Sequence, residues 1–361
     1  MKFVSPFLKK VVYPSLSMAG VFRRASSPGL AIVTYHGVLP PGYEPVDSAF
    51  DGNLISAETL RRQLRLLKSH FNVISPEGAL AWLEGRSELP RRAVLITCDD
   101  GLLNHLTDML PVLQQEGLRC LFFVTGISAK ENDPRERSML WYEELFLLLL
   151  RAPDGKFQVS CEGLAIAGEL GSREQTRATW WNCVQELSRL APESRTACIR
   201  ILRKQFGLQA QPGLDLSNGA QCRRFGLMNA DEIRELAAAG MTIGAHTVSH
   251  PILSQAPAAL ARGEITECKA QIEAVLQQEV WAFAYPFGDA QSVTPEVLAM
   301  ADGAGYTAAF LNYGGGLGMQ LPAHALPRIH VTAEMSLAEL DAHVSGFYAR
   351  LQRLVGRGGP A

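Results

Sequence analysis

The sequence lacks a surplus of either charge: 34 lysines and arginines face 36 aspartates and glutamates, for a formal net charge of −2. That balance leaves no electrostatic footprint for nucleic acid, which is recognised through basic clusters, and no nucleic-acid partner is expected. Paired cysteines are also missing. Seven stand at positions 98, 120, 161, 183, 198, 222 and 268, with no CxxC and no metal-ligand spacing. So scattered and odd-numbered a set reads as small buried hydrophobes in a reducing compartment rather than as a disulfide framework. Long apolar runs are absent too. The leucine-rich stretch 139–150 is too short to span a bilayer and carries Glu143 and Glu144, so no transmembrane helix is expected. No internal repeat or low-complexity tract stands out.

Residues 1–27 form a basic N-terminal segment in which Lys2, Lys9, Lys10, Arg23 and Arg24 lie among apolar residues interrupted by Pro6 and Pro14. It has neither the unbroken apolar core nor the small-residue cleavage site of a signal peptide. Two readings stay open: a frayed tail, or a basic amphipathic segment making peripheral contact with an anionic membrane surface. The expected location is cytoplasmic, membrane-peripheral if that segment binds, with export left open.

What is present is a chain of 361 residues, 47% hydrophobic, long enough to bury a large core. From position 30 it alternates short apolar runs with helical patterns. Strands are predicted at 30–35, 71–74, 93–97 and 119–125, with helices at 57–69, 76–83 and 102–116 between them. The rhythm resumes after 225, where Asn229 and Glu232 make a capping box for a helix ending at Gly240. Strands follow at 241–245, 281–285 and 306–311, separated by a helix at 257–278 and another opened by Thr294 and Pro295. Such alternation implies parallel pairing in an open sheet or a barrel. Residues 131–225 break it with helical patterns at 138–151, 173–190 and 193–206 and a looser 209–224, which reads as a helical insertion between parts at 28–130 and 226–361.

Three segments carry chemistry, each at the C-terminal end of a predicted strand, where parallel α/β folds gather ligands. The first is Thr97-Cys98-Asp99-Asp100-Gly101. Adjacent carboxylates repel unless a cation offsets them, although such residues also cap helices and make turns. The second is His246-Thr247-Val248-Ser249-His250-Pro251. Imidazoles four apart share a face if the segment forms a helical turn, and with one Asp they make a ligand set suited to zinc or another divalent transition metal. The third, Phe283-Ala284-Tyr285-Pro286-Phe287-Gly288, is a strand ending in a turn whose N–H groups are placed to hold a developing oxyanion.

Together these segments resemble the polysaccharide deacetylases, the NodB-homology group of carbohydrate esterases. The family's T-F-D-D-G motif matches Thr97 to Gly101 with Cys98 in place of Phe, and H-[ST]-x-x-H-P matches His246 to Pro251 throughout. The resemblance implies a distorted (β/α) barrel with a helical insertion. It implies a divalent metal, zinc foremost, on Asp100, His246 and His250, with Asp99 as general base. The motif R-x-P-[YF] is met by Pro286 and Phe287, so the Phe287 N–H takes the oxyanion role, but Ala284 stands at the arginine position and Arg328 is the substitute suggested. The late L-x-H motif of the general acid is absent. His36, at the end of the first predicted strand, is the first choice in its place and His330 the second; His105 reads as structural.

The implied activity is metal-dependent removal of N-acetyl groups from a polysaccharide or an N-acetylated, even lipid-linked, sugar. The alternatives are a catalytically silent carbohydrate-binding module on the same fold and a metal-dependent hydrolase of a non-sugar amide. Trp141, Tyr142, Trp180 and Trp181 in the insertion read as core aromatics, with sugar stacking the sharper reading.

Overall fold

Two segments, Leu30–Tyr35 (β1) and Ala93–Cys98 (β3), are buried at every position, so both faces need cover. A parallel sheet flanked by helices provides that cover. The computed structural model describes residues 7–24, 29–48, 50–130, 137–209, 217–314 and 322–354. Its other strands are β2 (Asn72–Ile74), β4 (Leu121–Val124), β5 (Gly155–Cys161), β6 (Leu164–Leu170), β7 (Thr242–Ala245), β8 (Ala282–Ala284), β9 (Ala308–Gly314) and β10 (Leu326–His330).

Seven parallel strands close a ring in the order β1, β10, β9, β8, β7, β4, β3 and back to β1. The barrel is distorted at β3, one edge of which serves two partners. Asn72 to Ile74 pair with Ala93 to Leu95, and Leu121 and Phe122 pair with Thr97 and Cys98. β2 therefore stands outside the ring. Alternate residues separate two packing zones. Leu30, Ile32, Leu95, Phe123, Phe310 and Leu326 meet in one cluster that fills the barrel. Ala31, Val33, Val94 and Ile96 pack with residues of the surrounding helices, such as Leu60, Leu64, Ile233 and Ile265.

The helices form where local signals put them. Ser56 caps Ala57–His70 by accepting the Thr59 N–H at 3.0 Å, and the Asn229–Glu232 capping box opens Ala230–Ala238 as expected. The helix predicted at 102–116 is reduced to Leu110–Glu116, entered through a wide π-turn at His105–Met109. Pro111, lacking an N–H, sits in its first turn.

The insertion contains the helices Trp141–Arg151, Arg173–Leu187 and Pro192–Gln205, but also an antiparallel hairpin of β5 and β6 that the helical reading missed. Phe157, Val159, Ile166 and Leu170 from the hairpin help fill the insertion's own core. The second strand is weak in sequence because Ala165, Ala167 and Gly168 replace the β-branched residues that mark strands. A second correction concerns the cysteines: Cys161 and Cys198 form a disulfide, their Cα atoms 5.6 Å apart across 37 residues. Sequence spacing carries no information about that approach. The other five are thiols, and Cys98, Cys120, Cys183 and Cys268 are buried, as small hydrophobes should be.

Residues 7–24 are not a frayed tail. Tyr13 and Phe22 are fully buried against a cluster that includes Ala342 and Phe347 near the C-terminus. Phe7, Val11 and Met18 are exposed. Lys2 and the remainder of the basic segment at 1–6 and 25–27 lie outside the described residues. Among the described residues, no helix is long and apolar enough to cross a membrane.

Candidate active site

All seven ring strands run the same way, so β1, β3, β7, β8 and β10 deliver their C-terminal residues to one rim. His36, Asp99 and His246 directly follow β1, β3 and β7, whereas His330 is the last residue of β10. The Asp99 N–H donates to the Tyr35 carbonyl at 3.0 Å, tying the first two ends together. Gly37 allows the chain to turn after His36: its φ is +125°, and a Cβ there would lie 2.3 Å from Asn104 Oδ1.

Four non-glycine residues around this rim have left-handed backbones: Asp100 (φ +89°), Thr247 (φ +63°), His250 (φ +57°) and Phe287 (φ +59°). Each such residue costs on the order of 1 kcal/mol or more, and clusters of this kind persist where the surroundings enforce an aim. Asp99 and Asp100 cap no helix. The two histidines come from a bent loop rather than the helical turn their spacing suggested. Left-handed Thr247 and His250, with the His250 N–H donating to Thr247 Oγ1 at 3.0 Å, swing both imidazoles inward.

Asp100 Oδ1 lies 3.5 Å from His246 Nε2 and 3.3 Å from His250 Nε2. One ligand atom from each of the three buried residues falls within 4.8 Å of the others. His246 Nδ1 lies 2.7 Å from the Ala284 carbonyl, which assigns it the proton and leaves the Nε2 lone pair directed at the cluster. Burial alone would raise the Asp100 carboxyl, yet its hydrogen bonds with His246 and His250 hold it well below the ordinary range. An acceptor-only carboxylate facing two imidazole nitrogens suits a divalent transition metal.

Asp99 points elsewhere. Arg328 binds it with two parallel hydrogen bonds, Nη1 to Oδ1 at 2.7 Å and Nη2 to Oδ2 at 2.5 Å. The guanidinium is itself held by the Leu311 carbonyl on Nε (2.7 Å) and by Thr97 Oγ1 (3.2 Å). Burial pushes the Asp99 carboxyl up, but the Arg328 charge, joined by His246, the Arg328 hydrogen bonds and His36, leaves the acid below its usual value. Arg328 reaches Asp99 from β10, whereas the residue at position 284 on β8 is alanine. The adjacent carboxylates are compensated separately, one by an arginine and one by the histidine pair.

His36 and His330 sit ring against ring, centroids 4.7 Å apart. His36 lines the pocket, while His330 is absent from its lining. Burial, followed by the neighbouring His36, pushes His330 down to about 3. His105 lies beneath the rim, its Nε2 3.4 Å from both Cys98 Sγ and the His36 carbonyl, in keeping with a structural part.

The pocket measures about 290 Å³ and is walled jointly by the barrel (Asp99, Asp100, His250) and the insertion (Tyr142, Glu143, Trp181). Tyr142 packs on His250 with centroids 4.9 Å apart and on Phe287 at 5.6 Å. Trp180 also lines the pocket, its Nε1 donating to the Tyr142 carbonyl at 2.7 Å. Trp141 is not among the lining residues. Its Nε1 donates to the His250 carbonyl at 3.2 Å, and Arg195 lies over its ring at 4.5 Å. These aromatics are therefore partly buried packing residues, three of which also face the pocket. Glu143 joins this wall without a motif to announce it; in sequence its one signal is a carboxylate inside a leucine run.

Residues 216–309 match the family model described as polysaccharide deacetylase. No curated protein sequence matches the chain. Among solved structures, IcaB from Ammonifex degensii is similar with a TM-score of 0.54 and 19% identity, covering 89% of this chain and 98% of that one. A de-N-acetylase from Aggregatibacter actinomycetemcomitans has a TM-score of 0.54 and 13% identity, covering 87% and 99%. The deacetylase PplD of Streptococcus pyogenes, solved with acetate, has a TM-score of 0.51 and 16% identity, covering 87% and 97%. The structural likenesses speak for the distorted barrel, and the stretch 216–309, which includes His246 and His250, carries the sequence similarity to the polysaccharide deacetylases.

Proposed function

We propose that this protein is a metal-dependent hydrolase that removes N-acetyl groups from a glycan or a lipid-linked N-acetylated sugar. The observation that carries the reading is the juxtaposition of the Asp100, His246 and His250 cluster with an arginine-held carboxylate in one pocket. Asp100 and the two histidines would hold a divalent ion, zinc being the one best matched to that donor set. Such an ion supplies Lewis acidity toward a carbonyl and lowers the pKa of water.

The chain's own residues supply the rest. Asp99, ionised and oriented by Arg328, takes a proton from the attacking water as general base. The left-handed turn at Phe287 offers a backbone N–H at the pocket wall for the charge that develops on the acetyl oxygen. His36, which reaches the pocket while His330 backs it, donates the proton that the departing amine needs. Acetate and a free amino sugar result.

Exposed Phe7, Val11 and Met18 beside Lys9 and Lys10 support the further reading that the N-terminal segment rests on an anionic membrane surface. Equal sedimentation of the protein with anionic and neutral vesicles would dismiss that reading.

Acetate release from chitooligosaccharides and from a lipid-linked N-acetylhexosamine, with and without chelator, tests the activity. Chelator-sensitive release is expected, together with close to one metal ion per purified chain. A metal-free protein that releases no acetate under metal-replete conditions favours a silent binding module instead.

A further inference from the structure

Glu143 is a buried carboxylate with one oxygen engaged and one not. Oε1 accepts a hydrogen bond from Arg224 Nη1 at 2.8 Å. Oε2 is buried and has no hydrogen-bond partner among the described residues, and the residue lines the pocket. Arg224 is shared: its Nε donates to Asp51 Oδ1 at 2.8 Å, and its guanidinium lies 4.4 Å from the Phe225 ring centroid. One cation thus serves two carboxylates, Asp51 and Glu143. Tyr43 and the Val46 N–H complete Asp51, so the unmet acceptor is on Glu143. A buried acceptor without a donor is costly, and native structures rarely leave one without a purpose.

The pocket indicates what fills the gap. Its volume of about 290 Å³ is at the small end of ligand sites, the scale of a single sugar ring. Trp180, Trp181 and Phe50 give it apolar walls that suit the faces of a pyranose. We propose that the insertion supplies Glu143 as the acceptor that seats one neutral, hydroxyl-bearing N-acetylated sugar ring, its Oε2 taking a hydrogen bond from a ring hydroxyl. This rests on the deacetylase reading and adds to it that the substrate is read one ring at a time by the insertion. Burial raises the Glu143 acid to about 7, and a hydroxyl donated to Oε2 would favour its ionised form.

The test compares an N-acetylglucosamine oligomer with its 3-, 4- and 6-deoxy analogues at the reacting ring. In the wild-type protein one analogue should lose about tenfold to hundredfold in kcat/KM, the usual cost of leaving a charged acceptor unmatched. In Glu143→Gln the parent substrate should lose a similar factor, mainly through KM, and the penalty on that analogue should largely vanish, while metal content stays unchanged. A merely structural role would lower all four substrates alike and keep the penalty, which would overturn the proposal. If the variant fails to fold, the wild-type panel still decides: equal rates on all four substrates refute a hydroxyl acceptor. Absence of acetate release from every substrate by the wild-type protein is a different failure, that of the deacetylase reading.

Discussion

Arg328 on β10 holds Asp99 after β3 through a two-point ion pair across 229 positions of sequence, although residue 284, where the family motif places its arginine, is alanine. The two side chains are almost fully buried, and paired buried charges of this geometry lose heavily when one partner goes. Arg328→Gln should lower kcat/KM at neutral pH by about tenfold to hundredfold while retaining metal. The pH dependence gives a second readout. The guanidinium keeps Asp99 ionised below the ordinary carboxylate range despite burial, so removing it raises the pKa of the base. The acid limb of kcat/KM should therefore move to higher pH; an unmoved limb would separate Arg328 from the base.

The adjacent carboxylates should separate cleanly by mutation. Asp100→Ala and His250→Ala are expected to lose bound metal and activity together. Asp99→Asn should keep the metal and lose about 10²- to 10⁴-fold in kcat, the range for removing a general base. Metal analysis and acetate release on the same preparations check this, and full turnover by Asp99→Asn would refute the assigned base.

The insertion also braces the loop between His246 and His250 from outside. Arg195, 1% exposed, donates to the Ser249 carbonyl at 3.1 Å and to Ser249 Oγ at 3.2 Å. Glu264 accepts the Ser249 N–H at 2.7 Å from the other side. Arg195→Ala strips the Ser249 carbonyl of this buried donor and should cost about 1–3 kcal/mol of stability. Because Ser249 adjoins His250, metal affinity should fall as well, by roughly 10- to 100-fold. Denaturant unfolding and metal titration measure the two effects.

The disulfide joins β5 to the helix Pro192–Gln205 and closes a loop spanning 37 positions. Reduction, or Cys161→Ser, should destabilise the insertion by about 2–4 kcal/mol. Thiol labelling of the denatured oxidised protein should count five free cysteines rather than seven. Seven labelled thiols without prior reduction would contradict the bond.

His343 gives the fold an acid sensitivity far from the pocket. Burial, and then Lys9 nearby, lowers it from 6.5 to about 4. The folded state therefore binds fewer protons than the unfolded chain within that window, so stability present above pH 6.5 is lost as pH falls toward 4. His343→Gln should flatten the fall of Tm across the window, and a variant as acid-sensitive as the wild type would place the titrating group elsewhere.

Much of the barrel was legible because its causes are local. Mostly apolar runs such as 30–35 and 93–97 demand burial on both faces, and the Asn229–Glu232 box marks a helix start by itself. The cluster of Asp100, His246 and His250 was legible for a similar reason, since each motif follows a strand and parallel strands share a rim. Residues 155–170 were misread because an Ala- and Gly-rich strand has little intrinsic strand preference and forms only when a partner and a core are at hand. The approach of Cys161 to Cys198, the left-handed loop that turns His246 and His250 together, and the half-satisfied Glu143 depend on contacts between distant segments. Sequence determined which residue types stand at the rim of this protein and could only suggest Arg328 as a partner for the base; tertiary structure decided that pairing, because it is made by barrel closure and has no period in the chain.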